Sequence, residues 1–389
     1  MSTIFRHSDN YLFCCLARGI ETLVLCLPEA DAFSSCEDLL RIRFLSYMTW
    51  ILGISALLGN SFVIFWRVCP RSDRDRGKTK AQSILVTNLA IADGMMGVYM
   101  LIIASADVFY KDMYAYYAEA WQTSAICKIA GFLAVLSSES SVFFMTVISI
   151  DRVIAVTAPF SRMNLGSKSV KIAVLIVWSC SLMLSLMPVL VRDYFGNAYY
   201  GRSTVCLALP LTADRPAGWQ YSVALFLGVN CFAFSIMAIC YITIYIIVKR
   251  SGRSVTHTAN RSGEIQLAIR MAFLVITDLC CWMPVIIMGL LALTTDITIS
   301  SDAYVWTAVF VLPLNSSLNP YLYTIVTRET ANRGKRKSRY GQTVNSTSGV
   351  VATVSGSVDN NGMYEDVTMK GKEHGIEIET LLSGKNIFG

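Results

Sequence analysis

Long apolar runs alternate with short polar segments along most of this chain. Seven of these runs have about 20 residues each, the length that crosses roughly 30 Å of hydrocarbon as an α-helix. The connections between them are short, so the pattern predicts one membrane domain. The predicted spans are, in order, Phe44–Trp66, Gln82–Ser105, Ile126–Ile150, Val170–Leu190, Trp219–Val248, Leu267–Leu293 and Tyr304–Val326.

Composition supports a bundle of helices in lipid. Of the 389 residues, 54% are hydrophobic and only 15% are charged, which is too apolar for the surface of a water-soluble domain. We therefore predict an all-α membrane protein, a seven-transmembrane helix bundle with a short extracellular N-terminus and a disordered cytoplasmic tail. The predicted divisions are an outer segment over 1–43, the membrane domain over 44–326, an amphipathic basic juxtamembrane helix over 327–339 and the tail over 340–389.

The distribution of basic residues predicts how the chain is oriented. Segments rich in Lys and Arg follow the odd-numbered runs, and such segments remain in the cytoplasm. They are Arg67–Lys80, Ser161–Lys171, Lys249–Arg253 and Arg333–Arg339. We therefore expect a multi-pass protein of the plasma membrane with its amino terminus outside and its carboxyl terminus in the cytoplasm. The formal net charge of +6 is then a signal of topology, and without a basic soluble domain we expect no nucleic-acid partner.

The twelve cysteines fall into groups according to their position across the membrane. Six lie within or just inside the apolar runs, where free thiols pack as small apolar groups. Cys127 at the outer start of the third run and Cys206 in the loop after the fourth both face the oxidising side, and we expect a disulfide between them. The pairing of the four cysteines before residue 37 stays open, because spacing alone does not determine it.

Several apolar runs carry a polar or acidic residue at depth. A carboxylate there costs roughly 3 kcal/mol, so it must face the interior of the bundle and find partners. A single buried Asn or Ser is usually just hydrogen-bonded within a bundle, but here such residues recur from helix to helix. Their oxygens suit a hydrated sodium ion, and we expect no other metal or cofactor. The predicted polar pocket consists of Asp93, Ser141, Asn315, Ser316 and Asn319.

Charged residues also fall at the predicted cytoplasmic ends of two helices. At 1.5 Å per residue, Arg152 lies about 37 Å along its helix from Cys127, and Glu264 lies about 30 Å before Pro284. The Arg and Glu side chains can therefore pair in one conformation and separate in another. The alternative is two separate charges in interfacial water, worth under about 1 kcal/mol together.

Two prolines predict bends in the sixth and seventh helices. Pro284 and Pro320 each remove a backbone hydrogen bond and kink the chain, so a helix end can swing while the centre stays in place. Trp282 lies just before the first bend. It is predicted to pack across the core, either as part of a switch or as a large apolar filler.

Six motifs in chain order resemble the signature set of the rhodopsin-like G-protein-coupled receptors. The resemblance extends from about Cys36 to Arg339, and the usual proline of the fifth helix is replaced near Ala233. The motifs are GN with Asn60, LAIAD with Asp93, DR with Asp151 and Arg152, Trp178 in the fourth run, CWMP with Trp282 and Pro284, and NPYLY with Asn319, Pro320 and Tyr323.

The resemblance implies a role for each group of residues. Asn60 and Trp178 are expected to be core residues. The residues expected to lock the inactive state and couple to the G protein are Asp151, Arg152, Tyr241 and Glu264. The residues expected to act as the activation switch are Asp278, Trp282, Pro284, Asn319, Pro320 and Tyr323.

Three stretches further resemble the relaxin branch of the leucine-rich-repeat-containing hormone receptors. They are TDLCCWMP with Asp278, SSESSVFFMTVISIDR with Glu139, and SCEDLL just before the first run. The resemblance implies that Asp278, roughly level with Asn315 and Asn319, accepts hydrogen bonds from these amides and that the pairing holds the inactive state. Because only 43 residues precede the first run, we expect a receptor that lacks the leucine-rich ectodomain of that branch.

The function implied by the resemblance is that of a receptor, not an enzyme. It would pass an extracellular signal, from a peptide or protein hormone, to a heterotrimeric G protein, with cyclic AMP as an expected output. Arrestin and receptor kinases are expected partners of the hydroxyl-rich tail. One alternative is a truncated or non-hormone-binding receptor isoform that acts constitutively or as a modulatory partner. Another is a transporter or channel, which would need broken helices and inverted repeats that the sequence does not display.

Overall fold

The computed structural model is dominated by long helices. It divides into two units, 1–323 and 324–389, which are described separately. The described residues are 6–7, 26–27, 37–69, 80–157, 167–196, 199–207, 217–251, 259–294, 301–322, 352–358, 364–373 and 376–383.

Seven long helices make up the first unit, one for each predicted apolar run. Six of them, within the described part of the chain, are long and apolar enough to cross a membrane, and the seventh is helical over 301–322. In lipid a helix satisfies its backbone hydrogen bonds internally, which explains why these apolar runs are helical. The helices are α1 (Arg43–Val68), α2 (Lys80–Phe109), α3 (Ala125–Thr157), α4 (Ser167–Leu190), α5 (219–251), α6 (Ala259–Thr294) and α7 (301–322).

The helix ends differ in places from the predicted spans. The third helix continues past Ile150 to Thr157, and the sixth begins at Ala259 rather than Leu267. Both extensions add polar turns beyond the apolar run, so hydropathy alone did not include them. The first helix ends where Cys69 turns to an extended backbone, as expected for a residue before proline.

Helices α5 and α7 each contain a π-helical stretch. In α5 it covers Ala224–Val229, between Trp219–Val223 and Asn230–Ser251. In α7 it covers Thr307–Val311, between Ser301–Trp306 and residues 312–322. Such stretches re-aim the residues that follow them and are frequent at functional sites.

The helices differ in how deeply they are buried. Within the most apolar part of α3, 72% of residues are buried inside the protein, against 22% for α4, so α3 is central and α4 peripheral. On α1 the buried face carries Leu52, Ala56, Asn60 and Val63, a spacing of one helical stripe. The opposite face of α1 is apolar and exposed, as expected for a surface against lipid.

Short elements close the end of the bundle that the sequence predicts to be extracellular. A helix over Tyr114–Thr123 connects α2 and α3, and Arg192–Phe195 and a 3-10 turn over Tyr200–Arg202 follow α4. Before α1, strands β1 (Arg6–His7) and β2 (Cys26–Leu27) form a two-residue parallel pair.

The second unit contains a three-stranded antiparallel sheet. Its strands are β3 (Ala352–Val358), β4 (Tyr364–Glu373) and β5 (Ile376–Ser383), in the order β3-β4-β5, with a register shift between Ser357 and Val358. The sequence predicted no regular structure in 340–389, and over these strands the structure differs. In these strands Val, Thr and Ile alternate with other residues, which favours β-structure. The polar composition of the segment concealed this two-residue alternation. The predicted juxtamembrane helix at 327–339 lies outside the described residues.

Candidate functional site

A polar cluster joins α2, α3 and α7 at the centre of the bundle. The Asp93 side chain is fully buried. Its Oδ1 accepts hydrogen bonds from Ser141 Oγ at 2.9 Å and Ser316 Oγ at 3.1 Å. Its Oδ2 accepts one from Asn319 Nδ2 at 2.7 Å. An intramembrane acid is thereby held by donors from two other helices, as its desolvation requires.

A second acid–amide pair joins α6 to α7. Asn315 Nδ2 donates to Asp278 Oδ1 at 2.5 Å, and Asp278 is 0% exposed. The other carboxylate oxygen, Asp278 Oδ2, is buried and accepts no hydrogen bond from the described residues. The acid in the sequence TDLCCWMP is thus compensated chiefly by an amide of the neighbouring helix.

Asn315 and Asn319 divide between the two acids. The sequence predicted that Asn315 would join Asp93 and that both amides could serve Asp278. The structure confirms the hydrogen bond from Asn315 to Asp278. It corrects the other two expectations, because Asn319 binds Asp93 and Asn315 faces Asp278. The two amides are four residues apart, so they lie on one face of α7 about 6 Å from each other along its axis. Each therefore reaches the acid at its own level.

Asn60 ties α1 to the same layer. Its Nδ2 donates to the carbonyls of Ala56 at 2.8 Å and Ser316 at 3.0 Å. The neighbouring Gly59 allows this approach, because a Cβ there would lie 2.9 Å from Pro320 Cγ. The GN pair is thus explained by close packing of α1 against the proline of α7.

Trp178 links α4 to α2 and α3. Its indole Nε1 donates to Asn88 Oδ1 at 3.0 Å, and its ring meets that of Phe144 edge to face at a centroid distance of 5.6 Å. As predicted for a core residue, it makes both polar and aromatic contacts, although its side chain is only partly buried.

Three aromatic side chains cluster next to the predicted bend of α6. Trp282 is buried next to Phe226, at a centroid distance of 6.1 Å, and Phe234, at 6.4 Å. Phe226 belongs to the π-helical stretch of α5, which brings it towards α6. Pro284 lies within α6, one half-turn beyond the tryptophan.

The end of the bundle that the sequence predicts to be cytoplasmic holds Arg152 in a buried setting. Its guanidinium forms a salt bridge with Asp151, the adjacent acid, and both side chains are nearly enclosed. Tyr241 on α5 interacts with Arg152 electrostatically. A small apolar cluster of Val156, Ile244 and Ala268 packs α3, α5 and α6 together at this level.

Two residues of the predicted inner machinery lie outside what the structure describes. The side chain of Glu264, although within α6, is not among the described side chains, and Tyr323 follows the last described residue of α7. The predicted pairing of Arg152 with Glu264 therefore stays a prediction.

The predicted disulfide ties together the end of the bundle that the sequence predicts to be extracellular. Cys127 at the start of α3 is bonded to Cys206 in the loop after α4. The same loop accepts hydrogen bonds from Trp121 Nε1 to Thr204 O and from Tyr99 OH to Val205 O, both at 2.8 Å. The six cysteines expected to be free, Cys69, Cys180, Cys231, Cys240, Cys280 and Cys281, are free.

Two further buried acids were missed as site residues. Glu139 on α3 is fully buried, and its Oε1 accepts a hydrogen bond from Asn230 Nδ2 on α5 at 3.2 Å. Asp107 accepts from Leu40 N at 2.8 Å and Ser46 Oγ at 2.5 Å, which anchors the SCEDLL segment on α2. The acid within SSESS could have identified Glu139 as a site residue from the sequence. Its hydrogen-bond partner Asn230 could not, because the π-helical stretch before Asn230 sets the direction of that side chain.

The donor set around Asp93 fits a small cation. Carboxylate and hydroxyl oxygens of Asp93, Ser141 and Ser316 converge within hydrogen-bonding distance. The side-chain oxygens of three buried amides in this layer accept no hydrogen bond from the described residues, namely Asn60, Asn315 and Asn319. Oxygen-only ligands suit a hard cation such as sodium. No cluster of three His, Cys, Asp or Glu side chains that could hold a metal occurs in the described ranges.

Comparison with known proteins gives consistent matches over the membrane domain. The family model described as "7 transmembrane receptor (rhodopsin family)" matches residues 59–323. The G-protein coupled receptor GRL101 of Lymnaea stagnalis is 43% identical over 86% of this chain and 29% of its own length. Relaxin receptor 2 of Homo sapiens is 34% identical over 82% of this chain and 41% of its own length.

Two further comparisons extend this picture. The thyrotropin receptor of Ovis aries is 34% identical over 82% of this chain and 40% of its own length. The chain thus spans less than half the length of each of these relatives. Squid rhodopsin has a similar fold, with a TM-score of 0.56 and 18% sequence identity over 72% of this chain and 75% of that structure.

Proposed function

Because the chain belongs to the rhodopsin family of seven-transmembrane receptors, we propose that it transmits an extracellular signal to a heterotrimeric G protein. It is a multi-pass membrane receptor and not an enzyme, since its family consists of receptors. We propose further that it resides in the plasma membrane with its amino terminus outside, because its basic segments follow the odd-numbered helices.

The observation that carries this proposal is the pair of acid–amide contacts on α7. Asn319 binds Asp93 on α2, and Asn315 binds Asp278 on α6. One helix is thus held at two levels by interactions that a second arrangement of α6 and α7 would break. A two-state element of this kind is what a population shift between inactive and active receptor requires.

The inner end supplies the coupling surface in this proposal. Arg152 is engaged by Asp151, and the cluster of Val156, Ile244 and Ala268 closes the inner ends of α3, α5 and α6. Swinging α6 outward at Pro284 would open this cluster and expose Arg152 to a G protein. In this proposal we assign the conformation described here to the inactive state.

We assign a peptide or protein ligand to the outer face and cyclic AMP to the output. The support is similarity to relaxin receptor 2 and to the thyrotropin receptor, whose names denote hormone receptors. Arrestin and receptor kinases are proposed partners of the tail, which is rich in Ser and Thr.

Sodium is proposed as an allosteric ion that favours the inactive state. Asp93, Ser141 and Ser316 would hold it, while Asn315 faces Asp278 instead. The test is ligand-free signalling in membranes with sodium or with an equal concentration of N-methylglucamine. Replacing sodium should raise the basal signal of the natural chain and leave that of Asp93→Asn unchanged. Equal sodium responses in both proteins would refute the assignment.

The proposed function is tested by basal cyclic AMP in cells that express the chain at a measured surface level. The variant Arg152→Ala should lose the signal above that of untransfected cells, because it removes the cation that faces the partner. Ser138→Ala is a suitable control, since its hydroxyl bonds only to Ala134 O within its own helix. An equal signal from Arg152→Ala and the natural chain would contradict the coupling role.

A further inference from the structure

A cavity lies at the outer end of the bundle, apart from the polar cluster and the inner surface. The enclosed space is only about 30 Å³, and the open space around it brings the volume to about 300 Å³. Lys128 of α3, Pro188 of α4 and Arg192 after α4 contribute to its wall, together with Tyr199 and Tyr200. The site is therefore a shallow cleft that opens to the surroundings, not an enclosed pocket for a small molecule.

The charge of this cavity is one-sided. Lys128 and Arg192 supply two cations, and none of its described lining residues is acidic. Neither cation forms a salt bridge with an Asp or Glu of the described residues, including Asp193 next in the chain. A third cation, Arg202, lies over the Tyr199 ring at 5.3 Å, and burial lowers the pKa of its guanidinium. An anion in this cavity would therefore meet uncompensated positive charge.

The tyrosines line the cavity as rings rather than as free hydroxyls. Tyr200 OH donates to Ser185 O at 2.6 Å, and Tyr199 OH is hydrogen-bonded to Ser222 Oγ at 2.6 Å. Burial raises the pKa of Tyr199 to about 12 and raises that of Tyr200 further, so both stay neutral at physiological pH. They add no negative charge that would compete for the cations.

The surroundings of the cavity are apolar and exposed. Leu190 is 72% exposed, Ile129 53% and Tyr194 44%, around the ends of α3 and α4. Apolar side chains of such exposure fit acyl chains, and a tyrosine at this level fits the membrane interface. Cations with aliphatic stems between helices at this depth are suited to a lipid headgroup.

We propose that this cavity binds the phosphate group of a phospholipid in the outer leaflet, with Lys128 and Arg192 as its ligands and the acyl chains along α3 and α4. The shared chemistry is that of a phosphate anion, and the apolar rim favours lipid over free phosphate. The outer-leaflet assignment rests on the proposed orientation. Because the same loop carries Cys206, a bound lipid would steady the outer loop against α3.

The test is lipid binding to the purified full chain in detergent micelles, counted by native mass spectrometry with dioleoylphosphatidylcholine as the probe. The natural chain should retain one tightly bound phospholipid. Loss of two cations near the headgroup should weaken binding by about 30-fold in Lys128→Gln/Arg192→Gln. The matched control Arg43→Gln removes an exposed cation at the outer end of α1 and should stay within about twofold of the natural chain.

Two further arms identify the ligand. A galactosyl diacylglycerol with the same chains and no phosphate should bind weakly, and equal binding would overturn the phosphate assignment. Inorganic phosphate should not displace the lipid at equal concentration, and displacement would point to a free anion instead.

A folding defect is separated from a binding defect by a charge-preserving variant. Lys128→Arg/Arg192→Lys should retain binding within about threefold. Unchanged affinity in the Gln double variant would overturn the proposal, whatever its signalling. The readout needs no G protein, so failure of lipid binding and failure of the proposed receptor function are distinguishable.

Discussion

The contact between Asp278 and Asn315 offers a direct test of how the inactive state is held. The two side chains are 0% and 5% exposed, and the amide donates at 2.5 Å. Hydrogen bonds between membrane helices average about 0.6 kcal/mol in double-mutant cycles and reach about 1.7. Full burial and a short distance place this pair near the upper value, which corresponds to about 18-fold in an equilibrium constant. A receptor that is about 1% active at rest would become about 15% active.

The perturbation is a cycle of Asp278→Ala, Asn315→Ala and the double variant. The assay is basal cyclic AMP per receptor at the cell surface. Each single variant should raise the basal signal about 15-fold, because each removes the same contact. The double variant should stay within about threefold of the larger single effect. Ser138→Ala, which loses only a hydrogen bond inside its own helix turn, should leave the signal unchanged.

Two outcomes would refute this reasoning. Unchanged basal signalling in both single variants at equal surface level would mean that the contact does not bias the equilibrium. If the rise in basal signal in the double variant equalled the product of the rises in the two single variants, the two residues would act independently. The contact between them would then contribute no coupling energy.

Three other substitutions test the packing that positions the site. Cys206→Ser breaks the disulfide to Cys127, which closes a loop with a sequence separation of 79 residues, so the free energy of unfolding should fall by about 4 kcal/mol. The measurement is thermal melting in detergent followed with a thiol-reactive dye. An unchanged melting temperature would contradict a structural role of the disulfide. Gly201→Ala would bring a Cβ to 1.9 Å from a backbone carbonyl oxygen and should reduce surface expression, whereas Gly228→Ala, with nothing within 4 Å, should express normally; equal expression would contradict the close approach. Trp178→Phe keeps the ring contact but loses the hydrogen bond to α2, so the melting free energy should fall by about 1 kcal/mol, and no fall would mean that the bond is not made in solution.

Much of the helical arrangement was predictable from the sequence, because hydropathy reports directly on membrane spans. The seven runs correspond to the seven helices, and the free thiols and the Cys127–Cys206 disulfide followed from the side of the membrane. The grouping of Ser141 and Asn319 around Asp93 was also predictable, since an intramembrane acid needs hydrogen-bond donors from other helices.

The finer choices depended on tertiary packing that the sequence does not specify. Whether Asn315 would face Asp93 or Asp278 is decided by the rotation of α7, and its π-helical stretch is not visible in hydropathy. The partner of Glu139 likewise depends on the bulge before Asn230 in α5. The strands of the second unit were missed because their alternating pattern lies within a polar composition.

The central claim, that this chain activates a heterotrimeric G protein through Arg152, is tested most directly with purified components. The measurement is guanine nucleotide exchange on a stimulatory G protein by the full chain in lipid nanodiscs, without ligand. The account predicts exchange above the rate of the G protein alone, raised further by Asn315→Ala and abolished by Arg152→Ala. Exchange that is the same for the G protein alone, the Asn315→Ala chain and the Arg152→Ala chain would contradict it.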